Sequence, residues 1–182
     1  MNYEEKDVLL AMQQDNDAFA NIYKSIYVDL FKMALYIIGD RELAKDIVSE
    51  TIIDAYKGIS GLKDSLKFEQ WILRILTMKC KRRIKEKYNT FSIFSSNVRN
   101  IDDCILKSQE SFSDKDEMTD VQVALSKLNS KDRTIVTLCI VEGYKSHEVA
   151  DILSMNSSTV RSRLNRSLKK MREYLEVKID EK

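Results

Sequence analysis

Hydrophobic positions recur at three- and four-residue steps along most of this chain, the period of amphipathic helices. The longest run holds Phe19, Ile22, Tyr23, Ile26, Leu30, Phe31, Ala34, Leu35 and Ile38. Asp15-Asn16-Asp17 ahead of it offers capping carboxylates, and Gly39 behind it offers the left-handed backbone that closes a helix. Asp40 then caps a second run through Leu43, Ala44, Ile47, Val48, Thr51, Ile52, Ala55 and Tyr56. Gly58 and Gly61 bracket a loop, GISGLKDS. A third run starts near Leu66, passes through Trp71, Ile72, Ile75 and Leu76, and ends in the basic stretch KCKRRIKEK. Phe68 and Trp71 fall in register with Ile72 and Ile75, so they read as core rather than as base-stacking platforms. EEKDVLLAMQQ predicts a short helix before all three.

The pattern breaks from Thr90 to Asp120. Asp102, Asp103, Glu110, Asp114, Asp116, Glu117 and Asp120 face only Lys107 and Lys115 in its second part. This serine-rich stretch without a sustained period reads as a linker, with a short helical turn expected around DDCILKS. Periodicity returns at Val121 and leads through Val123, Leu125 and Leu128 to Ile135, Val136, Leu138 and Val141. The expectation is an all-α fold. Two small helical domains, 1–90 and 121–182, are joined by a flexible acidic linker at 91–120. The chain has no proline and only four glycines, so the usual helix breakers are nearly absent.

The C-terminal pattern is more specific. Ser146 is placed to cap a short helix, HEVADILS, with Val149, Ile152 and Leu153 on one side. SMN makes a tight turn, and Ser157 or Ser158 caps a second helix, SSTVRSRLNRSLKKM. Ala150 is small enough to let the two helices approach closely. Two short helices across such a turn make a helix-turn-helix, whose second helix enters the major groove of DNA. On a helical wheel Val160, Leu164, Leu168, Met171 and Leu175 form one buried stripe. Ser162, Asn165, Arg166 and Lys169 lie opposite, with Ser158 and Thr159 in the first turn. Arg166 suits paired hydrogen bonds to guanine and Asn165 to adenine. Arg161 and Arg163 flank the stripe as phosphate clamps. The plain alternative is a solvated basic face that favours the helix dipole. It is weakened because the arginines begin in the first turn, where that dipole disfavours cations.

Composition and charge then exclude other classes. The formal net charge is +1, so the basic segments are local features in a balanced chain. Cys80, Cys104 and Cys139 form no C-x-x-C and are odd in number, and His147 is the single histidine. A disulfide framework or zinc site is not expected, and the thiols read as reduced and cytoplasmic. No window approaches the roughly 18 apolar residues of a membrane span, and MNYEEKDVLL lacks a signal-peptide core.

Two stretches carry a family resemblance. LNSKDRTIVTLCIVEGYKSHEVADILSMNSSTVRSRLNRSLKKMREYL resembles region four of the extracytoplasmic-function class of bacterial sigma factors, the small promoter-specificity subunits of RNA polymerase. YIIGDRELAKDIVSETIIDAYKGI and FEQWILRILTMKCKRRIKEK resemble region two. The resemblance implies that the first half binds core RNA polymerase and opens the −10 element of promoter DNA. The second half reads the −35 element as duplex. In AKDIVSET it places Asp46 and Glu50 at polymerase-contacting positions, with Ser49 where the class usually has glutamine. It makes Lys63, Asp64 and Ser65 pocket residues for a flipped base, and Arg74, Lys81, Arg82 and Lys85 holders of the −10 strand. Leu76-Thr77-Met78 and Arg82 depart from the class pattern, so no −10 base preference carries over. An anti-sigma protein is an expected partner, and the acidic linker is expected to thread toward the RNA exit path.

No acid–base pair, activated nucleophile or phosphate-cradling glycine loop stands out, so no catalysis and no cofactor are expected. Two rivals stay open. One is a stand-alone helix-turn-helix transcription regulator, and the other a nucleic-acid-processing enzyme with a helical accessory domain.

Overall fold

The computed structural model describes residues 1–94 and 119–180, with side chains through 87 and from 119 to 176. The turn expected around DDCILKS lies outside the described residues. Four helices form the first half: α1 Glu5–Met12, α2 Asn16–Ile38, α3 Arg41–Gly58 and α4 Phe68–Phe94. Four more form the second: α5 Asp120–Ser126, α6 Ser130–Val136, α7 Ser146–Leu153 and α8 Ser157–Asp180. The all-α expectation holds for the described residues. Helix α4 runs past the expected boundary at 90, to Phe94.

The joints follow local chemistry. Asp15 caps α2 by accepting from the Ala18 amide, and Asp40 caps α3 by accepting from that of Leu43. Gly39, at φ 75°, closes α2, and its amide donates to the Leu35 carbonyl. Thr119 and Gln122 satisfy each other's amides at the start of α5, a reciprocal capping box. Two expected caps are displaced by one or two positions. Lys145 rather than Ser146 precedes α7, and its amide donates to the Glu148 carboxylate at 2.6 Å. Asn156, not Ser157 or Ser158, caps α8, accepting from the amide and hydroxyl of Ser158 at 2.9 and 2.8 Å.

Between α6 and α7 the chain makes a wider π turn, Thr137–Val141. A π turn shifts the angular phase of the residues after it. Leu138 therefore stays in the core while Val141 is exposed, against the periodicity.

One apolar core runs through both halves. It joins Ile22, Ile26, Leu30, Ile47, Phe68, Ile72 and Leu76 to Ile135, Leu138, Val149, Ile152 and Val160. Full burial of each such side chain contributes about 1.5–3 kcal/mol. Helix α4 packs on α7, and α2 on α6 and the π turn. The buried Arg133 secures this junction. It donates to the carbonyls of Leu125, Ser126 and Leu128 at 3.0 to 3.2 Å, and across the junction to that of Ile37 at 3.3 Å. Burial pulls its guanidinium down to about 10, still far above neutral pH, so it is charged.

Candidate nucleic-acid and polymerase interfaces

The helix-turn-helix forms as the spacing predicts. Ser154, at φ 52°, ends α7, and the Met155 amide returns to the Ala150 carbonyl at 2.9 Å. Val160 is fully buried, and Leu164 and Met171 pack against the core. Ser167 is also buried, beyond the expected stripe. This seating leaves Ser158, Thr159, Arg161, Ser162, Asn165, Arg166 and Lys169 on one open side of α8. The Ser162 hydroxyl donates to the Thr159 carbonyl at 3.0 Å. Arg163 is placed differently: half-buried, it donates to Asp132 of α6 at 2.7 Å. It braces α8 against the domain rather than joining the open side.

In the first half α4 carries the basic track. Arg74, Lys81, Arg82 and Lys85 are all exposed. Arg74, Lys81 and Lys85 line a cleft of about 520 Å³ between α4 and the second half. Its apolar walls include Met78, Ile84, Ile152, Leu153 and Met155. Arg74 donates across the junction to the carbonyl of Asp151 on α7. Arg82 instead turns toward α3 and donates to Glu50 at 3.0 Å. The departures from the class pattern separate in space. Thr77 is buried beneath the cleft, with its hydroxyl donating to the Leu73 carbonyl. Met78 is 65% exposed.

The loop before α4 forms two 3-10 turns, Ile59–Gly61 and Ser65–Lys67. Asp64 caps the second by accepting from the Leu66 amide at 3.0 Å, and the Ser65 hydroxyl donates to Glu5 of α1 at 2.8 Å. Lys63 is exposed beside them. Leu66, which the periodicity assigned to the start of the helix, is 75% exposed on this loop. The cap at Asp64 is the signal that separates it from the core run.

On α3, Asp46 and Ser49 are exposed, and the Ser49 hydroxyl donates to the Lys45 carbonyl. Glu50 is not a freestanding acid. Lys79, Arg82 and Arg83 all bond to it from α4. Burial alone would raise its carboxyl; the bonds and charge of Arg83, then Lys79, outweigh that and hold it below the usual range.

A basic-tracked helical half followed by a helix-turn-helix half defines a two-region transcription-initiation protein, and the comparisons agree. Residues 22–90 match sigma-70 region 2, and residues 118–171 match sigma-70 region 4. The chain is 27% identical over 171 residues to the ECF RNA polymerase sigma factor SigW of Bacillus subtilis, covering 88% of this chain and 90% of that protein. It is 28% identical over 148 residues to the RNA polymerase sigma factor SigV of the same organism, covering 79% and 82%. The chain belongs to the extracytoplasmic-function (group IV) class of RNA polymerase sigma factors.

The fold is similar to that of CnrH, solved in complex with the cytosolic domain of CnrY, with TM-score 0.69 and 19% identity over 97% of this chain and 99% of that one. It is also similar to the sigma factor RpoE of Bartonella quintana in complex with the anti-sigma factor NepR, with TM-score 0.64 and 17% identity over 87% and 97%. This chain therefore directs promoter-specific initiation by RNA polymerase, and its family is not enzymatic. The region 2 match removes the stand-alone regulator as an alternative. Among the described residues, no helix is long and apolar enough to cross a membrane.

Proposed function

We propose a division of labour within this sigma factor. The open side of α8 reads −35 duplex, with Asn165 and Arg166 at base edges and Arg161 and Lys169 on phosphate. The loop Lys63-Asp64-Ser65 and the track Arg74, Lys81 and Lys85 capture the −10 strand, with Arg82 held to Glu50 beside the track. The face of α3 bearing Asp46 and Ser49, with Glu50 at its edge, meets core RNA polymerase. The first working unit ends with α4 at Phe94 rather than at 90, and the second begins at the capped α5. The protein works in the cytoplasm, and an anti-sigma protein holds it there, as NepR binds RpoE.

The observation that supports this reading best is the sorting of side chains on α8. Apolar residues from Val160 to Met171 turn inward while Thr159, Ser162, Asn165 and Arg166 remain exposed together. Run-off transcription sequencing with the full chain and core polymerase from its own organism tests it. Discrete start sites sharing a −35 sequence are expected, and that sequence should change in the Arg166→Ala protein. Start sites without a shared −35 sequence would overturn the assignment of α8.

A further inference from the structure

The cleft beside α4 joins two kinds of wall. One is aliphatic: Met78 and Ile84 come from α4, and Ile152, Leu153 and Met155 from α7 and the turn after it. The other is cationic, with Arg74, Lys81 and Lys85 of α4 and Lys131 of α6, all exposed. The lining holds no carboxylate. The cations of α4 that form ion pairs are Lys79, Arg82, Arg83 and Lys87, and all of them lie outside the lining. Thr77 and Thr134 also line the cleft, but their hydroxyls donate within their own helices, to the Leu73 and Ser130 carbonyls at 2.9 and 2.8 Å.

Size and shape suit a small ligand. The volume of about 520 Å³ falls within the range of about 300–1,000 Å³ usual for small-molecule sites. Polar contacts tie the facing walls together. Arg74 donates to the Asp151 carbonyl of α7, the Tyr144 hydroxyl donates to Glu69 of α4, and Arg133 donates to the Ile37 carbonyl at 3.3 Å. From Arg74 to Lys85 the cleft follows α4 for about 16 Å, at about 1.5 Å per residue, so it is elongated. Met78 and Met155 are unbranched and adapt to an apolar chain. No aromatic ring stands in the lining, so a nucleobase would find no face on which to stack.

We propose that this cleft binds a free long-chain carboxylate. The tail lies along Met78, Ile84, Ile152, Leu153 and Met155, and the head sits among Lys81, Lys85 and Lys131. The tail leaves water for aliphatic walls, and the head relieves like charges gathered without a counter-charge in the lining. Walls on facing helices take one chain out of solution, whereas a bilayer needs an outward apolar face. Since α4 belongs to region 2 and α6 and α7 to region 4, one bound molecule touches both regions and stabilises the folded chain by mass action. The site stands whether or not Arg74, Lys81 and Lys85 also meet the −10 strand.

Titration of the full chain with cis-parinaric acid tests this. The probe is a polyene carboxylate whose fluorescence rises when its chain leaves water. Lys131→Glu reverses one cation of the lining. Lys131 is exposed in the first turn of α6, where an acid is favoured, so this variant should fold. Met155→Glu places a carboxylate among the aliphatic walls. Circular dichroism checks both variants, and if Met155→Glu is unfolded, Lys131→Glu alone decides.

The probe should saturate at one molecule per chain. An exposed ion pair is worth up to about fivefold in affinity, so reversing a charge should weaken binding by about fivefold or more in each variant. Dodecanoate below its micelle concentration should displace the probe and raise the Tm of the wild type, and dodecanol, acetate and ADP should displace it far less. No rise in fluorescence would overturn the site, as would equal affinity in wild type and both variants. Displacement by dodecanol as readily as by dodecanoate would overturn recognition of the head. Stronger displacement by ADP would make the cleft a nucleotide site instead. Binding seen only with phosphatidylglycerol vesicles would replace the free chain with a membrane surface and overturn the proposal.

Discussion

Arg163→Ala and Arg166→Ala remove two guanidiniums three positions apart on α8, and they should lose different things. Arg163 Nη1 sits 2.7 Å from Oδ1 of Asp132, and the two side chains are 28% and 14% exposed. An exposed pair contributes about 1 kcal/mol at most, and breaking a fully buried one costs about 3–5 kcal/mol. This pair lies between those limits, and Asp132 keeps the bond from Asn129 Nδ2 at 2.7 Å after the arginine is gone. Arg163→Ala should therefore cost about 1–2 kcal/mol of stability, or about 2–8 °C in Tm at this chain length. Arg166 is exposed and makes a local bond from Nε to the Ser162 carbonyl at 3.3 Å. Its loss should change stability by less than about 0.5 kcal/mol. It should cost about 1–3 kcal/mol at one base pair of the −35 element. Thermal unfolding and binding to a panel of −35 duplexes differing at single base pairs, at two salt concentrations, read both quantities. An Arg163→Ala protein with unchanged Tm and a flattened preference at a base pair would make Arg163 a DNA contact and not a brace to Asp132. A uniform loss in Arg166→Ala, with the salt slope reduced by about 1, would make Arg166 a phosphate contact instead.

Arg133→Met leaves four carbonyls, those of Leu125, Ser126, Leu128 and Ile37, without their shared donor. A loss of about 3 kcal/mol is expected, read as a lower urea midpoint. Asp46→Lys should weaken capture by core polymerase while changing stability by less than about 0.5 kcal/mol, since Asp46 is exposed; unchanged capture would remove it from the interface. Glu50 has a depressed carboxyl, so its contribution is fully present above the unfolded value of about 4.3 and is lost as pH falls through the lower folded value. Urea midpoints measured from about pH 5 downward should fall less steeply in Glu50→Gln than in the wild type.

The fold was largely legible because its signals are local. Apolar period, capping aspartates and Gly39 set α2 and α3 with almost no help from distant residues. The errors have the same origin. Whether Lys145 or Ser146 stands outside α7 depends on which amide the Glu148 carboxylate reaches, and composition does not distinguish those neighbours. The π turn at Thr137–Val141 changes phase without a proline or glycine inside it, so periodicity carried Val141 into a core it does not enter. At the candidate sites, residue type gave the sign of each surface but not its pairing. Arg163 and Arg166 look alike in sequence, and only the approach of α6 gives one of them an aspartate. The junction between halves was not legible at all. Its polar contacts join residues 75 to 96 positions apart, and two of the three acceptors across it are backbone carbonyls.

The pairing of Glu50 also narrows the route of the −10 strand. Arg82 is 57% exposed but lies between two carboxylates, 3.0 Å from Glu50 and 3.4 Å from Glu86. A phosphate approaching it must displace one of them or tolerate both, and like charges in contact weaken the gain. Lys81 and Lys85 line the cleft, whose lining includes no acid. The basic stretch on α4 is therefore two surfaces rather than one. Lys79, Arg82 and Arg83 hold α3 in place and neutralise Glu50, and Arg74, Lys81 and Lys85 present charge toward the cleft. A strand drawn to the helix by its total charge would settle on the second surface, beside the exposed Met78. That is the surface beside which α7 packs.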